Sequence, residues 1–166
     1  MIFATVGTQL PFNRLIDTLD KLHKNQTISK CFAQVGPKGK KPQSIDFSAT
    51  LTPLQFAKHI ANCKVIVSHA GMGTILTAMR FGKPIIIMPR RKKYGEHRND
   101  HQLATVANLE GRAGIHIAQD ETSLTEQLLH IHSLKASRCA SSCAEPKLIS
   151  AISQFIEEDK QEIEYV

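Results

Sequence analysis

The segment Ser68-His69-Ala70-Gly71-Met72-Gly73-Thr74 is the densest source of chemistry in the chain, and it joins an apolar, β-branched run to a helical one. Two glycines one residue apart let a backbone turn sharply and let a ligand approach with no side chain between. The helix that follows presents unpaired N–H groups and the positive end of its dipole, both of which favour an anion. Thr74 can cap that helix or hydrogen-bond a phosphate oxygen, and the two roles compete. His69 ends the strand, where a neutral imidazole can accept a proton near pH 7 or simply buttress the loop. The spacing lacks the Gly-Lys-Ser/Thr ending of a P-loop and the six-residue dinucleotide fingerprint, which argues against kinase, ATPase and dehydrogenase chemistry. Phosphate binding is what remains.

A second polar set, Gly95-Glu96-His97-Arg98-Asn99-Asp100-His101-Gln102, stands immediately before a helix and next to the basic run Arg90 to Lys93. A sugar offers several hydroxyls, for which Asp, His, Asn and Gln side chains are suitable partners. Each residue taken alone reads equally well as surface or helix-start polarity; together they point to a polyol. The third set, Val6-Gly7-Thr8-Gln9, ends the first β-rich run, and it serves either as an ordinary turn or as a second approach to the same ligand.

These sets need elements to hold them. Short apolar runs at Ile2 to Val6, Cys31 to Val35, Ile45 to Phe47, Val65 to Val67, Ile85 to Met88 and Gly114 to Ala118 predict strands. Between them, helical spacing is expected over Pro11 to Leu22, from the Thr52 N-cap through Asn62, Thr74 to Phe81, about Arg98 to Glu110, and Ser123 to His132. A last amphipathic helix is expected over about 146–158, where Ile149, Ile152, Phe155 and Ile156 form one stripe. Alternation of this kind implies an α/β fold, a parallel sheet with helices on both faces, as a single domain over 1–166. Ligands of such sheets bind beyond the carboxyl ends of the strands, so the loops after Val6, Phe47, Val67 and Met88 should carry the site.

Composition limits the partners. Hydrophobic residues make up 42% and charged residues 22%, an ordinary globular balance. The first residues lack the basic leader and apolar run of a signal peptide, and no window nears a membrane span, so a cytoplasmic location is expected. Cys31, Cys63, Cys139 and Cys143 match no disulfide or zinc spacing, and no metal site or cofactor is expected. The net charge of +6 gathers at Lys38 to Lys41 and Arg90 to Lys93. With no Trp and two Tyr the chain lacks the aromatic platforms of an RNA-binding module, so nucleic acid is not expected as a partner.

In this order the three sets resemble the C-terminal domain of glycosyltransferase family 28. The likeness runs from Ile2 to Thr8, through Ser68 to Thr74 and Gly82-Lys83-Pro84-Ile85-Ile86-Ile87-Met88-Pro89-Arg90, to Glu96 to Leu103, and covers most of the chain up to about residue 118. It is strongest to the small donor-binding subunits of two-component exopolysaccharide glycosyltransferases. The resemblance implies a Rossmann-like sheet forming one half of a GT-B fold, with a UDP-sugar donor. It also implies inversion at the anomeric carbon and a membrane-associated partner that supplies the acceptor side and brings the chain to the membrane. Under it, Gly71, Met72, Gly73 and Thr74 line the donor diphosphate and Gly7 and Thr8 approach from the first turn. Asp100, His101 and Gln102 reach the sugar, and Arg90 holds phosphate or nucleotide. His69 is a candidate catalytic base. The sequence departs from the family at Thr77, where many members carry a Glu that grips the ribose. Two other readings stay open: a non-catalytic subunit that senses a nucleotide sugar, and a basic protein using Arg90 to Lys93 on anionic membranes or nucleic acid.

Overall fold

A computed structural model describes residues 1–136. Six strands alternate with five helices: β1 (Ile2–Thr5), α1 (Asn13–Lys24), β2 (Cys31–Gln34), β3 (Asp46–Ser48), α2 (Pro53–Asn62), β4 (Val65–His69), α3 (Met72–Arg80), β5 (Ile85–Met88), α4 (His101–Leu109), β6 (Ile115–Ile117) and α5 (Glu121–Leu129). All strand pairs are parallel, in the order β3-β2-β1-β4-β5-β6. Ala4 lies beside Ala33 on one side and Val67 on the other, and Val67 lies beside Ile86.

A strand's side chains alternate between faces, and both faces here are buried, which is why the central strands read as unbroken apolar runs. Ile2, Ala4, Val65, Val67, Ile86 and Met88 join Leu15, Ile16 and Leu19 of α1 and Leu124 and Leu128 of α5 in one core. Phe3, Ile66, Ile85 and Ile87 join Ile60 of α2, Ile75 and Ala78 of α3, and Val106 and Leu109 of α4 in the other. Helices thus cover both faces, as the alternation predicts.

The helix boundaries differ where side chains take over backbone groups. α2 begins as expected: the Thr52 hydroxyl accepts from Gln55 N at 3.3 Å, and the Gln55 side chain accepts from Thr52 N at 2.9 Å. α3 starts at Met72 rather than Thr74, so the residue at its cap is Gly71. α4 starts at His101 rather than near Arg98, because Glu96 Oε2 accepts from Arg91 N and Asp100 Oδ1 from Lys92 N, holding 96–100 in bends. α5 starts at Glu121 because the Asp120 carboxylate accepts from Ser123 N at 2.8 Å. The lysine-rich loop after β2 is pinned to α1, where the Asp20 carboxylate accepts from the backbone N–H groups of Gln43, Ser44 and Ile45. The helix expected over 146–158, together with Cys139 and Cys143, lies outside the described residues. Among those described, no helix is long and apolar enough to cross a membrane.

Candidate functional site

From β1 the chain passes to α1 on one face; from the adjacent β4 it passes to α3 on the other. Loops diverge at such a switch point and leave a crevice beyond the strand ends. A cleft of about 640 Å³ opens there, lined by Thr5 to Leu10, by Gln34 at the end of β2, and by Leu51, Pro53 and Phe56 at the start of α2. His69, Gly71, Gly73, Thr74 and Thr77 line it from β4 and α3, and Arg90, His97 and Gln102 from the segment after β5. Four loops named from sequence therefore converge on one space.

His69 is the wedge between two of them. A Cβ at Gly71 would lie 2.3 Å from His69 Nε2, and one at Gly7 would lie 3.0 Å from His69 Cε1. Gly71 has an ordinary φ of −95°, so the imidazole and not the backbone conformation excludes a side chain there. Gly7 combines that crowding with a φ of +76°. The Ser68 hydroxyl donates to the Thr5 carbonyl at 3.0 Å and sits 3.3 Å from His69 Nδ1. With its own proton so engaged, Ser68 accepts from Nδ1–H, and the neutral ring keeps its lone pair on Nε2. Burial, with the positive charge of Arg90 and the neighbouring His97, pushes the imidazole down to about 4. It is neutral at physiological pH and a weak base.

Gly73 behaves differently. Its Cβ would meet nothing within 4 Å, so the fold itself does not require a glycine there. α3 has no side-chain cap, and its first intrahelical bond runs from Ile75 N to the Gly71 carbonyl. The N–H groups of Met72, Gly73 and Thr74 precede that bond, so they have no intrahelical acceptor and stand beside the cleft with the helix dipole behind them. Thr74 is nearly buried at the third helical position and does not cap the helix. The Thr77 hydroxyl donates to the Gly73 carbonyl at 2.7 Å.

Arg90 is 2% exposed, with Nη2 donating to the carbonyls of Val6 at 2.7 Å and Leu10 at 2.6 Å, and the guanidinium over the Phe12 ring. It holds the loop after β1 in place; only Nε, buried without a partner, is uncommitted. Burial, partly offset by Glu96, pushes its pKa down to about 10, which leaves the charge intact at neutral pH. Gln102 ties two loops together, its Oε1 accepting from Ala70 N at 3.3 Å and Arg90 N at 3.0 Å. Asp100 and His101, expected beside it, do not line the cleft: Asp100 accepts from Lys92 N and His101 is exposed. Met72 also points away and is 48% exposed.

Sequence reasoning overlooked the brace under this site. Arg14 Nε and Nη2 meet Glu96 Oε1 and Oε2 at 2.7 and 2.8 Å, and Nη1 meets Glu121 at 3.1 Å. Burial works against the Arg14 charge, but the two carboxylates more than offset it and its pKa is raised. Nothing local marks a pair 82 residues apart in sequence. Leu51, Pro53 and Phe56 were likewise silent, since apolar residues at a helix start carry no signature of a ligand wall.

A parallel sheet in this order, with an uncapped helix N-terminus facing a cleft at its switch point, defines the Rossmann-like nucleotide-binding class. Within it the chain belongs to the glycosyltransferase family 28 C-terminal domain, whose model matches residues 1–160. No curated protein matches the sequence. Among solved structures, it is similar to the NMR structure of ALG13, at a TM-score of 0.58 and 18% identity over 86% of this chain and 90% of that one. It is also similar to Acinetobacter baumannii MurG, at 0.54 and 18% over 79% of this chain and 40% of that one. The glycosyltransferase of kitacinnamycin gives 0.53 and 14% over 80% of this chain. The chain spans 35% of the length of the kitacinnamycin enzyme. These likenesses show the fold, a glycosyltransferase half of the GT-B type.

Proposed function

We propose that the chain is the donor-binding half of an inverting glycosyltransferase, holding a UDP-sugar for transfer to a lipid-linked or polysaccharide-precursor acceptor. A membrane-associated partner subunit supplies the acceptor side. One observation carries the reading: Gly73 sits in the cleft wall at an uncapped helix N-terminus, at a position where the fold would tolerate a side chain. A ligand's close approach gives that glycine a reason.

In this reading the N–H groups of Met72, Gly73 and Thr74 receive the donor diphosphate, and Gly7 and Thr8 close over it from the first turn. Charge developing on the diphosphate as the anomeric bond breaks is stabilised by fixed N–H groups and the α3 dipole, without reorganisation during the step. Apolar Leu51, Pro53 and Phe56 suit the base, and the polar end with His97 and Gln102 suits sugar hydroxyls. Arg90 acts by holding the first loop. His69, neutral and weakly basic, acts by setting the separation of the two glycine loops, and the partner is the source of the base.

Calorimetric titration of the chain with UDP, UDP-glucose, UDP-glucuronate, UDP-galactose and UDP-N-acetylglucosamine tests this. Saturable binding of one donor is expected, lost in Gly73→Asp, whose carboxylate would occupy the diphosphate position. Absence of binding both alone and with the co-expressed partner would sink the proposal.

A further inference from the structure

The segment after β5 is built so that its negative charges face inward and its positive charges face out. Glu96 is clamped by Arg14 at 2.7 Å and accepts from Arg91 N, and Asp100 accepts from Lys92 N at 2.8 Å. Both carboxylates of the segment are thereby engaged in holding its shape. Lys92, Lys93 and Arg98 are exposed, and none of them has an ion-pair partner among the described residues. Lys92 and Lys93 ride on a single 3-10 turn closed by Gly95 at φ +68°. Between them and the brace stands Tyr94, 54% exposed, with Lys93 Nζ 4.7 Å and the Arg14 guanidinium 4.9 Å from its ring centre. A run of charges on a solvated loop ordinarily interleaves both signs or leaves its side chains free. Here a salt-bridged base removes the acids from the surface and fixes the cations around one exposed aromatic ring.

We infer that this loop, Arg91 to Arg98, is a docking surface for an anionic lipid bilayer. Cations within a Debye length of an anionic bilayer are attracted to it, and a tyrosine is suited to the headgroup layer, with an apolar ring and a polar tip. The same segment lines the cleft through Arg90 and His97, so docking would set the cleft mouth at the membrane surface. The inference does not rest on donor binding. A bilayer is favoured over RNA because Tyr94 stands alone among the loop's residues as an aromatic platform, whereas single-stranded nucleic acid needs successive stacking faces.

Flotation of the full chain with phosphatidylcholine vesicles, with and without phosphatidylglycerol, tests it. Binding is expected only to the anionic vesicles, and to fall steeply as salt rises. Each basic residue at such a surface contributes about fivefold in partitioning, so Lys92→Gln/Lys93→Gln should lose about 25-fold and Lys92→Glu/Lys93→Glu more. Both side chains are exposed and their melting curves should match the parent's. Equal binding to neutral and anionic vesicles, an unaffected charge-reversed variant, or tight binding to single-stranded RNA with none to vesicles would each overturn the inference.

Discussion

At the scale of single residues, the two glycines of the β4–α3 turn are glycine for opposite reasons. At Gly71 an added Cβ would strike the His69 ring at 2.3 Å; at Gly73 it would meet nothing. Gly71→Ala should therefore cost about 1–3 kcal/mol through overpacking, as read from chemical denaturation. Gly73→Ala should leave stability unchanged or raise it by up to about 1 kcal/mol, from helix propensity, while weakening donor binding in titration. Equal destabilisation by both would refute this division. His69 also dictates a pH dependence. Its folded pKa of about 4 lies below the ordinary histidine value, so its contribution is fully present above about 6.5 and is lost as the pH falls toward 4. The unfolded chain binds a proton in that window and the folded one does not. The loss is on the order of 3 kcal/mol, and His69→Gln should flatten the stability profile between pH 7 and 4. An unchanged slope would mean that other groups dominate acid unfolding.

At the scale of elements, the segment after β5 owes its shape to a brace rather than to its own sequence. Arg14 on α1 reaches Glu96 with two hydrogen bonds and Glu121 on α5 with a third, while Glu96 also accepts from Arg91 N. Arg14→Ala would leave a largely buried carboxylate unpaired, at a cost of about 3 kcal/mol. It should also raise amide exchange at Arg91 and Lys92. Arg14→Ala/Glu96→Ala should be less destabilised than the two single variants sum to, because the second change removes the stranded charge. Strict additivity would show that the pair does not act as a unit. Capping was legible by contrast: Thr52 followed by Pro53 and Gln55 carries its helix start within four residues, and α2 begins there.

At the scale of the whole molecule, the cleft is a composite of loops from β1, β3, β4 and β5, and among its described lining residues there is no Asp or Glu. Acidic side chains are the usual selectors of ribose hydroxyls in dinucleotide folds. At Thr77 the hydroxyl already donates to Gly73, and the neighbouring wall is Leu51, Pro53 and Phe56. UDP and dUDP should then bind within about fivefold of one another, and Thr77→Glu should favour UDP by tenfold or more through hydrogen bonds to a charged acceptor. A parent chain that already prefers UDP by such a margin would refute this. The sequence by itself determined the order of strands and helices, because buried parallel strands must read as apolar runs and Gly, Pro and Thr mark their ends. It also pointed to the glycine turn as the anion site, because a bare backbone at a helix start is a local property. Its motif order carried the family resemblance, which the match over residues 1–160 bears out. Only the tertiary structure decided which polar residues face the cleft. Arg90, expected on phosphate, is turned to the carbonyls of Val6 and Leu10, and Asp100 to Lys92 N, while Phe56 and Gln34 enter the lining unannounced. A side chain's partner is set by which strands the sheet makes neighbours, and that depends on contacts between residues tens of positions apart.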